Sequence, residues 1–268
     1  MKSEAEIAYR NRMYWHTVGL INTLRQSGKF PDGSHGTEES LACGVAIKWG
    51  GQTLIVTAKH AVEGVALPGD LRMYCRPRGD LDVQLSSRML PLCSGLPSDF
   101  QWRMYRCDWD DIATFTDLPR DDINLEYFEL HGNWEDPGIG DSVIGYGFPV
   151  QSSFEAARKQ HEPNKFSIAR AAPPIDWQSA VIAPRRFEGF DDSRHYVVAW
   201  DPVSLGEPHG YSGCAVWSKR DGAGGLWCPS LKFCGIAASF HRSQKAERII
   251  RASGVVKFLT ETFGPPGS

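Results

Sequence analysis

Three short segments carry residue types that together could perform nucleophilic acyl transfer: Thr57-Ala58-Lys59-His60-Ala61-Val62, Asp111-Ile112-Ala113 and Gly210-Tyr211-Ser212-Gly213. A serine hydroxyl is a weak nucleophile near neutral pH. It needs an imidazole to take its proton and a buried carboxylate to hold that imidazole in the right tautomer. His60, Asp111 and Ser212 supply a base, an orienting acid and a nucleophile for such a site. Gly210 and Gly213 flank the serine and suit a tight turn, whose bare backbone can aim the N–H groups of Gly210 and Ser212 at a developing oxyanion.

The surrounding elements must bring the three together. Leu54-Ile55-Val56-Thr57 is a β-prone run that ends just before His60, with Ala61 and Val62 available to pack beneath it. Asp111 opens Ile112-Ala113-Thr114-Phe115, which reads as a strand entering a core and would draw the carboxylate out of water. Its neighbours Asp108 and Asp110 allow the plainer reading of a solvated acidic loop ahead of a strand. Gly-Tyr-Ser-Gly by itself is also common in turns, and a lone histidine is most often structural. Order and spacing raise the joint signal above its parts. His60 and Asp111 are 51 residues apart and Ser212 follows Asp111 by 101, so the first two fall in one half of the chain and the third in the other.

Further patterns support this division. Leu41-Ala42-Cys43-Gly44-Val45-Ala46-Ile47, the Gly50-Gly51 pair and the run from Thr53 to Thr57 read as a hairpin leading to His60. Cys214-Ala215-Val216-Trp217 and Phe233-Cys234-Gly235-Ile236-Ala237-Ala238-Ser239 read as two strands joined by a polar turn. On these residues the chain resembles the chymotrypsin-like, or trypsin-like, serine peptidases across residues 41–263, including the chain order His, Asp, Ser. The hairpin before His60 is similar to the family's strand pair. Val143-Ile144-Gly145-Tyr146-Gly147-Phe148-Pro149 looks like the start of the second barrel in bacterial members.

The resemblance implies an all-β fold of two six-stranded antiparallel barrels with a C-terminal helix and, in this chain, an N-terminal helical extension. It implies a first barrel over 39–130 holding His60 and Asp111 and a second over 131–268 holding Ser212, preceded by an N-terminal helix and linker over residues 1–38 that lie outside the resemblance. It also implies that the strand after the nucleophile pairs with substrate backbone by β-augmentation. Tyr211 is a departure. Secreted zymogens of the family have an aspartate there, which captures a newly cut amino terminus and forms the oxyanion hole. Tyrosine cannot make that ion pair, and no Ile-Val-Gly-Gly start is present. The pattern looks closer to bacterial, HtrA-type protease domains than to digestive trypsins.

Composition sets broader limits. A chain of 268 residues with 41% hydrophobic content can bury a full core. A net charge of −3 argues against nucleic acid or a membrane surface as partner of the whole chain. No stretch has the length of a membrane span, and Met1-Lys2-Ser3-Glu4-Ala5-Glu6 carries acids and no apolar signal region, so the expected location is cytoplasmic. The seven cysteines (Cys43, Cys75, Cys93, Cys107, Cys214, Cys228, Cys234) form no CxxC pair. Free thiols are therefore expected, with Cys228 and Cys234 able to pair across a hairpin under oxidant. Neither a metal nor a cofactor is called for.

Residues 4–26 place Ile7, Tyr14, Val18, Leu20, Ile21 and Leu24 among polar residues, compatible with an amphipathic helix that packs on a barrel or docks a partner. Residues 27–39, rich in Gly, Ser and Asp, read as a linker. Residues 151–194 are polar and irregular and read as a long loop and an interrupted strand pair near the cleft, either a solvated insertion or a regulatory or substrate-gating loop. Residues 254–263 read as a closing helix, ended by Pro265 and Pro266. The resemblance locates a specificity pocket at residues 205–209 and 236–241. Its substrate-binding candidates are His209, Ile236, Ala237, Ala238, Ser239 and His241. No aspartate in these walls favours Arg or Lys, and His209 and His241 are either polar recognition groups or surface residues.

Two functions follow as expectations. The first is a serine endopeptidase acting on a protein or peptide substrate without cofactor, with a conditional form that stays latent until an activating protein partner binds, as in bacterial stress or antiviral defence systems. The second is a catalytically silent protease-fold module that binds peptides or regulates.

Overall fold

The computed structural model describes residues 12–29, 35–63, 71–75, 88–91, 103–116, 125–147, 175–185, 187–205, 210–220 and 230–266. Strands dominate them. β1 (Thr17–Lys29), β2 (His35–Trp49), β3 (Gln52–Ala58), β4 (Leu71–Cys75), β5 (Arg88–Pro91), β6 (Met104–Arg106) and β7 (Ile112–Thr116) form one sheet in the order β5-β4-β1-β2-β3-β7-β6. Its eighth strand, β8 (Phe128–Glu129), runs parallel to β2 at Ile47 and Lys48. β9 (Ser142–Gly147), β10 (Ile175–Ile182), β11 (His195–Ala199), β12 (Ala215–Arg220), β13 (Ser230–His241) and β14 (Ala246–Arg251) close a barrel in the order β10-β11-β14-β13-β12-β9. α1 (Pro202–Leu205) is a single turn and α2 (Ala252–Phe263) ends the described chain. The architecture is all-β, and no helix among the described residues is long and apolar enough to cross a membrane.

The expected hairpin is present. Gly50 and Gly51 both have positive φ, 53° and 80°, and form a two-residue loop between Trp49 and Gln52, which face each other. Paired positive φ values match the right-handed twist of the flanking strands. β3 is buried at every position from Leu54 to Ala58, as befits a strand between β2 and β7 with cover on both faces.

The amino-terminal helix expected over residues 4–26 is not what the chain forms from Thr17 onward. β1 pairs antiparallel with β2 from Thr17 opposite Val45 to Leu24 opposite Glu38, and with β4 from Gly19 opposite Tyr74 to Asn22 opposite Leu71. Val18 and Leu20 satisfy a helical stripe and a strand alternation equally, and it is pairing with β2 on one side and β4 on the other, with both side chains buried, that selects the strand. A helical turn survives only at residues 12–15, and the first eleven residues lie outside the description. The linker expected over 27–39 is in part strand, since Gly28 pairs with Gly36 and Lys29 with His35. The first unit also differs from a closed six-stranded barrel: among the described residues β5 and β6 do not pair, which leaves the eight-stranded sheet open.

The largest core cluster draws on both units. Val45, Ile47, Trp49, Leu54 and Val56 of the sheet share it with Ala215, Trp217, Phe233, Ile236 and Ile250 of the barrel. α2 adds Val255, Phe258 and Leu259. Gly264, with φ 84°, caps this helix by donating its N–H to Thr260 O. The sheet and barrel are thus packed through one apolar interior, and residues from opposite halves of the chain can be held in register.

Candidate active site

The end of β3 and the start of β7 lie side by side, with Ala58 opposite Ile112. His60 follows β3 on a 3₁₀ turn (Lys59–Val62) whose Ala61 and Val62 are buried, and Asp111 immediately precedes β7. The pairing continues one step past both strands, where Lys59 N–H donates to Asp111 O at 3.0 Å. The Asp111 carboxylate then faces His60 twice. Oδ1 accepts the His60 backbone N–H at 2.9 Å, and Oδ2 lies 2.7 Å from ring Nδ1. With a carboxylate opposite it, Nδ1 carries the proton and Nε2 is free to act as base. The His60 side chain is 45% exposed and that of Asp111 16%, which places the imidazole at the surface and the acid behind it.

Ser212 comes from the other half of the chain and is fixed by backbone. Its carbonyl accepts the Cys43 N–H of β2 at 2.8 Å. Gly213 N–H donates to Ala237 O at 2.7 Å, and Cys214 N–H donates to Tyr211 O at 2.8 Å. Gly213 has φ 82°, and a Cβ there would sit 2.2 Å from Cys43 O, 2.3 Å from Thr57 Oγ1 and 2.9 Å from Ala58 N. The serine turn therefore rests directly on the strand end that leads into His60. Thr57 Oγ1 donates to Cys43 O at 2.6 Å and Cys43 Sγ to Gly210 O at 3.0 Å, so this contact is hydrogen-bonded from both sides. Among the described residues, the N–H groups of Gly210 and Ser212 donate to no backbone carbonyl. Donors without an internal acceptor are what an oxyanion needs.

Tyr211 is buried against Trp200 at a ring separation of 5.6 Å. Burial pushes its phenol well above the ordinary range, so it stays neutral. The substrate-binding candidates divide. Ile236, Ala237 and Ala238 are buried, and what β13 presents near Ser212 is backbone. β12 pairs with β13 only as far as Ile236, and Ser239 to His241 have β14 alone as a described neighbour. That leaves one edge of this stretch unpaired among the described residues. Ser239 and His241 are half-buried and 3.2 Å apart between Oγ and Nε2. His241 stacks on Phe187 at 3.7 Å, and burial, helped by the Arg248 charge, lowers its pKa. His209 lies outside the described residues, as do residues 151–174 of the irregular segment. Cys43, Cys107, Cys214 and Cys234 are buried thiols in no disulfide among the described residues; Cys228, the partner considered for Cys234, is not described.

One contact at the site has no precursor in the sequence reading. Asp110, read as part of an acidic loop, is buried, and its two carboxylate oxygens lie 3.0 and 3.1 Å from His195 Nε2 on β11. Its Oδ1 also accepts the Asp111 N–H at 2.8 Å. Burial raises the Asp110 carboxyl, but the bond from His195, the Asp111 N–H and the Arg194 charge outweigh it, and the net shift is downward. Nothing local marks His195 as the partner, because 85 residues separate the two.

No protein-family model and no curated protein matches the chain. Its fold is similar to that of a solved structure described as "Structure of GrC", with a TM-score of 0.52 over 93% of this chain and 94% of that one. The two are 11% identical, so the likeness is one of fold alone.

Proposed function

We propose that this protein is a trypsin-like serine endopeptidase of the two-barrel chymotrypsin type. The observation that carries the reading is the two-point contact of Asp111 with His60, beside a serine turn hydrogen-bonded to the same strand pair. Ser212 Oγ attacks the scissile carbonyl carbon as His60 Nε2 takes its proton, and the tetrahedral oxyanion is held by the N–H groups of Gly210 and Ser212. His60 then gives that proton to the departing amine as the C–N bond breaks, leaving an ester on Ser212. Water, deprotonated by His60, attacks the ester; the acid product leaves and the proton returns to Ser212. Asp111 holds the imidazole in its tautomer throughout and stabilises the imidazolium.

An extended peptide would add as a strand to the edge of Ser239 to His241, which is unpaired among the described residues. Because Tyr211 is neutral and packed in the core, ordering of the hole by a new amino terminus is not part of this mechanism. The proposed setting is the cytoplasm, with an activating protein partner in a bacterial defence or stress system.

The test is labelling by a fluorophosphonate probe. Labelling of the parent, lost in Ser212→Ala and in His60→Ala, is the expected result. Equal labelling of the parent and His60→Ala would refute the mechanism, and a folded parent that never labels would point to latency before partner binding or to the silent peptide-binding module.

A further inference from the structure

The 107–111 segment is tied to both units, and the tie to the barrel is built around two buried polar side chains. The Asp110 carboxylate is 3% exposed and the His195 ring 1%. Burying an ionised carboxylate is costly unless donors surround it. Here the donors are His195 Nε2–H and the Asp111 N–H, with the Arg194 guanidinium 3.9 Å away as a charge partner. The far side of the His195 ring sets its tautomer: Nδ1 accepts the Asp191 N–H at 3.0 Å, so the ring proton sits on Nε2, facing Asp110. Arg194 reinforces the contact by donating to Trp109 O, while its Nε is held by Asp191 Oδ2 at 3.0 Å.

We infer that the Asp110–His195 pair is a positioning device for the triad acid, anchoring the backbone of Asp111 to β11 of the barrel. The inference rests on the peptidase reading for its catalytic consequence. Asp111 has to keep both carboxylate oxygens on His60, and it does so from a segment that precedes a strand, where backbone is free to drift. Its C=O is fixed by Lys59 N–H and its N–H by Asp110. Lys59 Nζ adds a bond to Cys107 O at 2.7 Å. Of these ties, the one through Asp110 reaches the unit that carries Ser212. It therefore sets the acid–base pair relative to the nucleophile, where a displacement on the order of 1 Å costs about a hundredfold in rate. Asp110 and His195 touch neither His60 nor Ser212 through their side chains in the described contacts, so they are positioning residues.

The experiment compares the parent with His195→Leu, His195→Gln, Asp110→Asn and Ser212→Ala by two readouts: the NMR signal of the hydrogen-bonded His60 Nδ1–H and the rate of fluorophosphonate labelling. His195→Leu leaves Asp110 without its donor. It is expected to broaden or remove the Nδ1–H signal and to slow labelling roughly tenfold to a hundredfold. His195→Gln keeps a donor towards Asp110 and should restore most of both, which a purely structural role of the ring would not produce. Asp110→Asn places an N–H against the His195 donor and serves if His195→Leu does not fold; it should weaken the signal in the same way. A folded His195→Leu or Asp110→Asn with an unchanged signal and labelling rate, whatever its melting temperature, overturns the inference. A parent that shows the Nδ1–H signal and loses it in His195→Leu, yet never labels, keeps the positioning role and counts instead against a peptidase active in the isolated chain.

Discussion

Asp111 holds His60 at two points, the backbone N–H on Oδ1 at 2.9 Å and ring Nδ1 beside Oδ2 at 2.7 Å. One contact would leave the ring free to swing about a single axis; two fix both the turn and the imidazole that projects from it. Asp111→Asn retains an oxygen for one of them and presents an amide N–H to the other. The imidazole would then turn its unprotonated nitrogen towards the amide, leaving the proton on the nitrogen that should act as base. Fluorophosphonate labelling should fall by about 10⁴ with little change in thermal stability.

The Gly213 turn tolerates no side chain. Ala at this position would carry a Cβ at 2.2 Å from Cys43 O and 2.3 Å from Thr57 Oγ1, on a backbone with φ 82°. Neither contact can relax cheaply, since one is backbone and the other is a hydroxyl committed to Cys43 O. Gly213→Ala should destabilise by roughly 3 kcal/mol or more in a denaturant titration and abolish labelling, because the turn cannot move without carrying Ser212 away.

Tyr211 tests how the hole is ordered. Its ring is buried between Trp200 and the serine turn, and Gly147 passes so close that a Cβ there would lie 2.8 Å from it. Tyr211→Asp reproduces the zymogen residue without a partner amine. It leaves a cavity and an unpaired buried charge, so a loss of several kcal/mol is expected, on the order of 3 or more, with no gain in labelling. A stable and faster-labelling Tyr211→Asp would show that the hole does depend on an ion pair.

Glu247 lies in the barrel wall opposite Val198 and Phe240, fully buried, with Oε2 lacking a hydrogen-bond partner among the described residues. Burial pushes its carboxyl up to about 8, and the Arg248 charge offsets this only in part. A raised folded pKa means that the native state holds a proton which the unfolded chain releases. Stability should therefore be fully present below about pH 4.5, fall as pH rises from there to 8, and level off above. Glu247→Gln removes that dependence. Melting curves at pH 5 and pH 9 should show the variant gaining on the parent at the higher pH, by an amount on the order of a few kcal/mol.

Much of the sheet around the site is legible in short windows of sequence. Gly50-Gly51 between two β-prone runs specifies a hairpin because few other residues accept two successive positive φ values. The run from Ile112 to Phe115 specifies a strand through its continuous β-branched and aromatic character, and it does form β7. The helix at Ala252–Phe263 follows from the apolar spacing of Val255, Phe258 and Leu259 and the glycine after it. Residues 17–26 mislead for a related reason. Their apolar positions fit either period, and only the pairing of β1 with β2 and β4 selects the strand.

By itself the sequence determined which residues could do chemistry and the local shapes that carry them: a histidine past a strand end, an aspartate ahead of one, a serine between glycines. These depend on backbone propensity and side-chain type within a few residues. Tertiary structure alone decided that Asp111 meets His60 across 51 residues, that the serine turn lies on Cys43 and Thr57, and that Asp110 is a buried partner of His195 rather than part of a solvated loop. Those contacts join segments through strand register and a shared core, and register is a property of the paired strands, not of either one.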